Sequence, residues 1–140
     1  MNLQELLDNL PLELIYKIQS YILKPQPKYL MKDIKHFVIS KQIALDLYKV
    51  KYDFEEDPNE YKNWLVNDIC SYLNEDVAMM YGLVDKFYDI CMRYYNINDK
   101  QIVINIILNL QQIPVEREVN FLWGIMKPLE RETMIKTNNL

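Results

Sequence analysis

A chain of 140 residues, half of them hydrophobic and about a quarter charged, is long enough to bury a core and has an ordinary globular balance. Its net charge of −4 and pI of about 5.0 carry the wrong sign for a nonspecific nucleic-acid binder. Only 2 glycines argue against glycine-turned β folds and Gly-rich phosphate loops, and no run of about 18 apolar residues offers a membrane span.

The opening MNLQELLDNL carries acids and no basic n-region, so no signal peptide is expected. Leu3, Leu6, Leu7 and Leu10 recur at helical spacing, and Pro11 then resets the chain at the first position of a new helix. Along that helix Leu14, Ile18 and Ile22 step by four on one face. Lys24-Pro25-Gln26-Pro27 stops it, because proline disfavours helix in the residue before it. A second helix is predicted from about Pro27, with Leu30, Ile34, Phe37 and Val38 on its apolar face. Ser40 marks a kink or a fresh N-cap before KQIALDLYKVKY. After the acidic loop DFEEDPNE, Asp57 reads as an N-cap, with Pro58 at the first helical position and Glu60 closing a capping box. The helix that follows shows Tyr61, Leu65, Ile69 and Tyr72 on one face and ends near Asn74.

From Val77 to Tyr95 apolar residues hold a 3.6 period, with Gly82 as either an interruption or the start of the firm helix. YNINDK is a loop with Asn98 or Asp99 as a cap. QIVINIILNL has strand-compatible β-branched residues, but a lone strand would have no partner, so a buried central helix is expected. Pro114 opens another helix whose core face is Val119, Leu122, Trp123 and Met126. Pro128 begins a last short one, and KTNNL frays. The expected fold is all-α, a single compact domain of six to eight helices.

Chemistry is sparse. His36 is the sole histidine and has no partner at metal-ligand spacing, which reads as a surface or boundary residue. Cys70 and Cys91 lie on predicted helices with apolar neighbours, as two buried thiols of a reducing compartment rather than a disulfide scaffold. A Cys/His nucleophilic pair is formally open, but nothing local activates either thiol. Glu55, Glu56 and Asp57 form a solvated loop with a capping role rather than an acid/base pair or a calcium site. No metal and no cofactor is expected.

The segment Lys24 to Lys51 holds seven lysines against Asp33 and Asp46, near +5, leaving about −9 on the rest. Within it Lys24, Lys28, Lys32 and Lys35 line one side of a helix. This is either a solvated face or a basic patch for an acidic protein partner or phosphate. Without arginine or aromatics on that face, sequence-specific nucleic acid is not expected.

The stretch Leu10-Pro11-x-Glu13-Leu14-x-x-x-Ile18-x-x-Tyr21-Ile22 resembles the start of the F-box. The blocks YILKPQPKYLMKDIKHF, WLVNDICSYLN, MYGLVDKFYDICMR and LWGIMKPLERETMI look like those of small F-box-like proteins of large nucleocytoplasmic DNA viruses, and cover most of the chain in order. FVISKQIALDLY stands where cellular F-boxes carry a Val-Cys-basic-x-aromatic cluster, and does not match it. The resemblance implies a non-enzymatic adaptor. Residues 1–52 would form an F-box-like segment, and 53–140 a helical remainder packed on it. Leu10, Pro11, Leu14, Ile18 and Ile22 would dock a Skp1-type component of a cullin ubiquitin ligase, in the cytoplasm or nucleus of an infected cell. The alternative is a structural virion component whose first helix is buried in its own core. An enzyme using Cys70 or Cys91 ranks behind both.

Overall fold

The structure, a computed structural model, describes residues 5, 8–23, 27–53 and 56–138, with backbone alone for 18–23. The chain divides into two compact units, Met1–Lys32 and Asp33–Leu140. All regular elements among the described residues are helical: α1 (Leu12–Leu23), α2 (Lys28–Lys51), α3 (Glu60–Leu73), a 3₁₀ turn (Met79–Tyr81), α4 (Asp85–Tyr95), α5 (Lys100–Leu110), α6 (Val115–Ile125) and α7 (Pro128–Thr137). The all-α expectation therefore holds. The predicted Leu3, Leu6 and Leu7 stripe, Lys24 with the following Pro25-Gln26, and Glu55 lie outside the described residues.

In the first unit the Pro11 carbonyl accepts from the N–H groups of Leu14 and Ile15 at 3.0 and 3.1 Å, which launches α1 one residue after the proline. Pro27 does the same for α2 through Leu30 and Met31.

The second unit is built on α3 lying along α6, with α4 against α5 and α6. Leu65, Ile69 and Leu73 of α3 meet Val119, Leu122 and Trp123 of α6 in one buried cluster. Burying each large apolar side chain contributes roughly 1.5–3 kcal/mol. QIVINIILNL is α5, and its Val103, Ile107 and Leu110 are buried at i, i+4, i+7. Tertiary burial overrides the strand propensity of its β-branched residues. Ala44 and Tyr48 of α2 join the same cluster. The division between the two units lies within α2, between Lys32 and Asp33.

Two local expectations are corrected. Ser40 neither kinks nor caps: α2 runs through it uninterrupted. Its buried hydroxyl donates back to the His36 carbonyl at 2.5 Å and accepts from Trp123 Nε1–H at 2.9 Å, so it is satisfied without leaving the helix. Asp57 is not the N-cap of α3, and the Asp57–Glu60 capping box does not form. The helix starts at Glu60 with Asn59 at the cap position. Asp57 instead accepts from Asn59 N–H at 2.9 Å, closing an Asx turn that holds Pro58 outside the helix. Other signals read correctly: Asp99 caps α5 through Gln101 N–H, and Pro128 opens α7.

A buried polar cluster joins α2, α6 and α7. Arg131 is 1 % exposed. Its Nε donates to the Trp123 carbonyl at 2.8 Å, Nη1 to Asp33 at 2.8 Å and Nη2 to the Gly124 carbonyl at 3.4 Å. Those carbonyls belong to the last turn of α6, which has no intrahelical donors left, so the guanidinium serves as its C-terminal cap. Phe37 lies under the same guanidinium.

Candidate functional site

α1 is apolar on several sides. Leu12, Leu14 and Tyr16 are 64 %, 47 % and 64 % exposed. Pro11 is exposed and Leu10 half-buried. Of the five predicted docking residues, Leu10, Pro11 and Leu14 are thus placed, while the side chains of Ile18 and Ile22 lie outside the described residues. Leu12 and Tyr16, one helical turn apart, were not on the predicted stripe. The clue to them is that Leu12, Leu14, Ile15 and Tyr16 crowd into five positions, more than one buried face can hold. Lys28, Lys32 and Lys35 are exposed on α2.

A second feature has no clear forerunner in the sequence. Asn74 is completely buried where α3 ends. Its Nδ2 donates to the carbonyls of Val77 at 2.7 Å and Gly82 at 3.0 Å, and its Oδ1 accepts from Val84 N–H at 2.8 Å. One amide thereby fixes the whole loop from 75 to 84. Glu75 and Asp76 both take left-handed backbone, with φ of 51° and 62°, and Gly82 has φ of 103°. This loop presents Met80 and Tyr81, 84 % and 81 % exposed, and turns Met79 inward. On one side of Met79 lies an apolar cleft of about 440 Å³ lined by Leu83, Tyr88, Ile104 and Leu108. On the other lies one of about 280 Å³ with a polar rim of Asn63, Asn67, Gln111 and Glu118. The signals were Asn74 at a helix end and Gly82, one of two glycines.

No protein family, curated protein or solved structure matches this chain.

The reactive side chains are held in unreactive settings. Burial pushes the Cys70 thiol up to about 12, helped by the charge of Glu118. Burial pushes Cys91 up to about 11 against the opposing charge of Arg93. A thiol must ionise to act as a nucleophile, and both stay protonated at neutral pH. His36 is half-buried, as a boundary residue: its Nε2 lies 3.2 Å from Glu132 Oε1 and its Nδ1 faces Arg131 at 3.4 Å. The ring is therefore engaged with α7. The Tyr48 hydroxyl donates to Asp68, and its burial together with that carboxylate raises it far above an ordinary phenol. Burial alone would raise Glu130. The Arg93 guanidinium fork at 3.0 and 2.9 Å and the Lys127 N–H at 2.7 Å outweigh burial and hold it below the usual carboxylate range. Among the described residues, no three His, Cys, Asp or Glu side chains converge as metal ligands. Nor is any helix among them long and apolar enough to cross a membrane.

Proposed function

We propose that this protein is a non-enzymatic interaction module that docks a protein partner through the apolar surface of α1, with Leu10, Pro11, Leu12, Leu14 and Tyr16 as contacts. The observation that carries this reading is the solvent exposure of three large apolar side chains on one short helix. Burying them against a partner would contribute roughly 1.5–3 kcal/mol each before the cost of association. The protonated state of both thiols supports a binding role over thiol catalysis. The exposure of Leu14 favours docking over a structural virion component whose first helix is buried in its own core. The partner proposed is the Skp1-type adaptor that the F-box-like pattern implies. An acidic region on it would suit the exposed Lys28 and Lys32 of the same unit. The setting would be the cytoplasm or nucleus of an infected cell.

The test is titration calorimetry of the purified chain against a purified Skp1-type adaptor, with Leu14→Asp and Tyr16→Asp beside wild type. Wild type is expected to bind, and each variant to weaken binding at least about tenfold while leaving the far-UV circular dichroism unchanged. No heat with wild type, or equal affinity across all three, removes the adaptor role. Recovery of the chain as a stoichiometric part of purified particles, with no adaptor binding, would replace it with the structural role.

A further inference from the structure

The loop from 75 to 84 holds two large apolar side chains out in water. Met80 is 84 % and Tyr81 81 % exposed. The fold commits to this: the buried Asn74 amide makes three bonds to the loop, and Glu75 and Asp76 take left-handed backbone to close it. Beside the tip opens the apolar cleft of about 440 Å³, entirely within the second unit. Its walls are reachable: Leu83, Tyr88 and Ile104 are half-buried and Leu108 is 54 % exposed. None of its lining side chains is charged. At one edge Lys100, over the Tyr88 ring, is paired with Asp85 at 3.4 Å. The acids of the loop stand at its α3 end, where Asp76 accepts from the Ser71 hydroxyl at 2.7 Å.

We propose that this face joins two copies of the chain about a two-fold axis, the Tyr81 ring of each seated in the cleft of the other and Met80 on the lip between them. A two-fold interface must be complementary to itself, so it needs a projection and a recess on one surface. The tip and the cleft supply both. Charge agrees: a chain of net charge −4 repels its own copy, whereas this face brings no like charges together. With no cation in its lining, it offers nothing to a phosphate or an anionic lipid head. Area agrees as well. Met80, Tyr81 and Leu108 leave roughly 400–500 Å² in water, the size of the largest patch on an ordinary monomer. With the cleft walls included, two copies bury roughly 1,000 Å², the lower bound for a specific interface and the scale of a weak, reversible one. The fixed loop loses little freedom on docking, which favours association.

The test is sedimentation equilibrium of the full chain from about 5 to about 500 µM, the range in which so small an interface is measurable. Wild type is expected to pass from monomer to dimer as concentration rises. Tyr81→Ser removes the projection and Leu108→Glu blocks the recess. Both positions are exposed, so each variant is expected to keep the wild-type circular dichroism and to stay monomeric. An equimolar mixture of the two variants keeps one projection and one recess. It is expected to dimerise at least about tenfold less tightly than wild type, yet more tightly than either variant alone. Leu14→Asp, on α1, is expected to leave the dimer intact. Wild type monomeric throughout, a dimer indifferent to Tyr81→Ser or Leu108→Glu, a mixture no tighter than its components, or a dimer lost in Leu14→Asp would each overturn the proposal.

Discussion

Arg131→Met is expected to lower the stability of the second unit by about 2–4 kcal/mol. The methionine keeps most of the stem packing over Phe37 and removes every guanidinium donor. The Trp123 carbonyl then loses its partner in a buried place, the part-buried Gly124 carbonyl loses its longer contact, and Asp33 loses its ion pair. The two losses are separable. Asp33 is about half exposed, so Asp33→Asn is expected to cost no more than about 1 kcal/mol. Urea unfolding of both variants, with unchanged slope and a shifted midpoint, measures the difference. An Arg131→Met midpoint close to that of Asp33→Asn would mean the helix end is not held by the arginine.

Asn74→Ala is expected to cost about 2–4 kcal/mol as well, with a different signature. It leaves the Val77 and Gly82 carbonyls and the Val84 N–H without their partner at one stroke. The loop from 75 to 84 also holds two non-glycine residues in left-handed backbone, which costs free energy that the amide helps offset. Hydrogen exchange should therefore accelerate first at Val77, Gly82 and Val84, ahead of the core of α3 and α6. Asn74→Asp should not restore it. A carboxylate keeps the acceptor for Val84 but sets negative oxygens against two carbonyls. Uniform acceleration across the whole unit, with no local excess in the loop, would deny Asn74 this fixing role.

These two residues also mark where the sequence stops being legible. Val119, Leu122, Trp123 and Met126 could be read as a core face because burial imposes a 3.6-residue spacing that is visible in one helix alone. Pro128 and Asp99 could be read as helix starts because their effects are local. Arg131 could not. In LERETMI it looks like one more charge on an exposed helix, since its partners are two backbone carbonyls and an aspartate from the far end of the chain. Ser40 misled for the same reason: the Trp123 indole that satisfies its hydroxyl is remote in sequence. Spacing carries no information on φ, so the period from Val77 to Tyr95 left Gly82 open as an interruption or as the start of the firm helix; with φ of 103° it follows the 3₁₀ turn, and α4 begins only at Asp85. At the candidate site the Leu10 and Leu14 positions were legible from one stripe. The exposure of Leu12 and Tyr16 was not, because a stripe says which residues share a face and not how many faces stay in solvent.

The two thiols have a practical consequence. With Cys91 fully enclosed and Cys70 half-enclosed, and both protonated at neutral pH, a thiol reagent meets almost no thiolate while the fold is shut. Alkylation of Cys91 must then wait for α4 to lift from the core, and its rate counts those openings without any added label. The native sequence thus carries its own stopwatch for internal motion, with Cys70 as the faster hand and Cys91 as the slower.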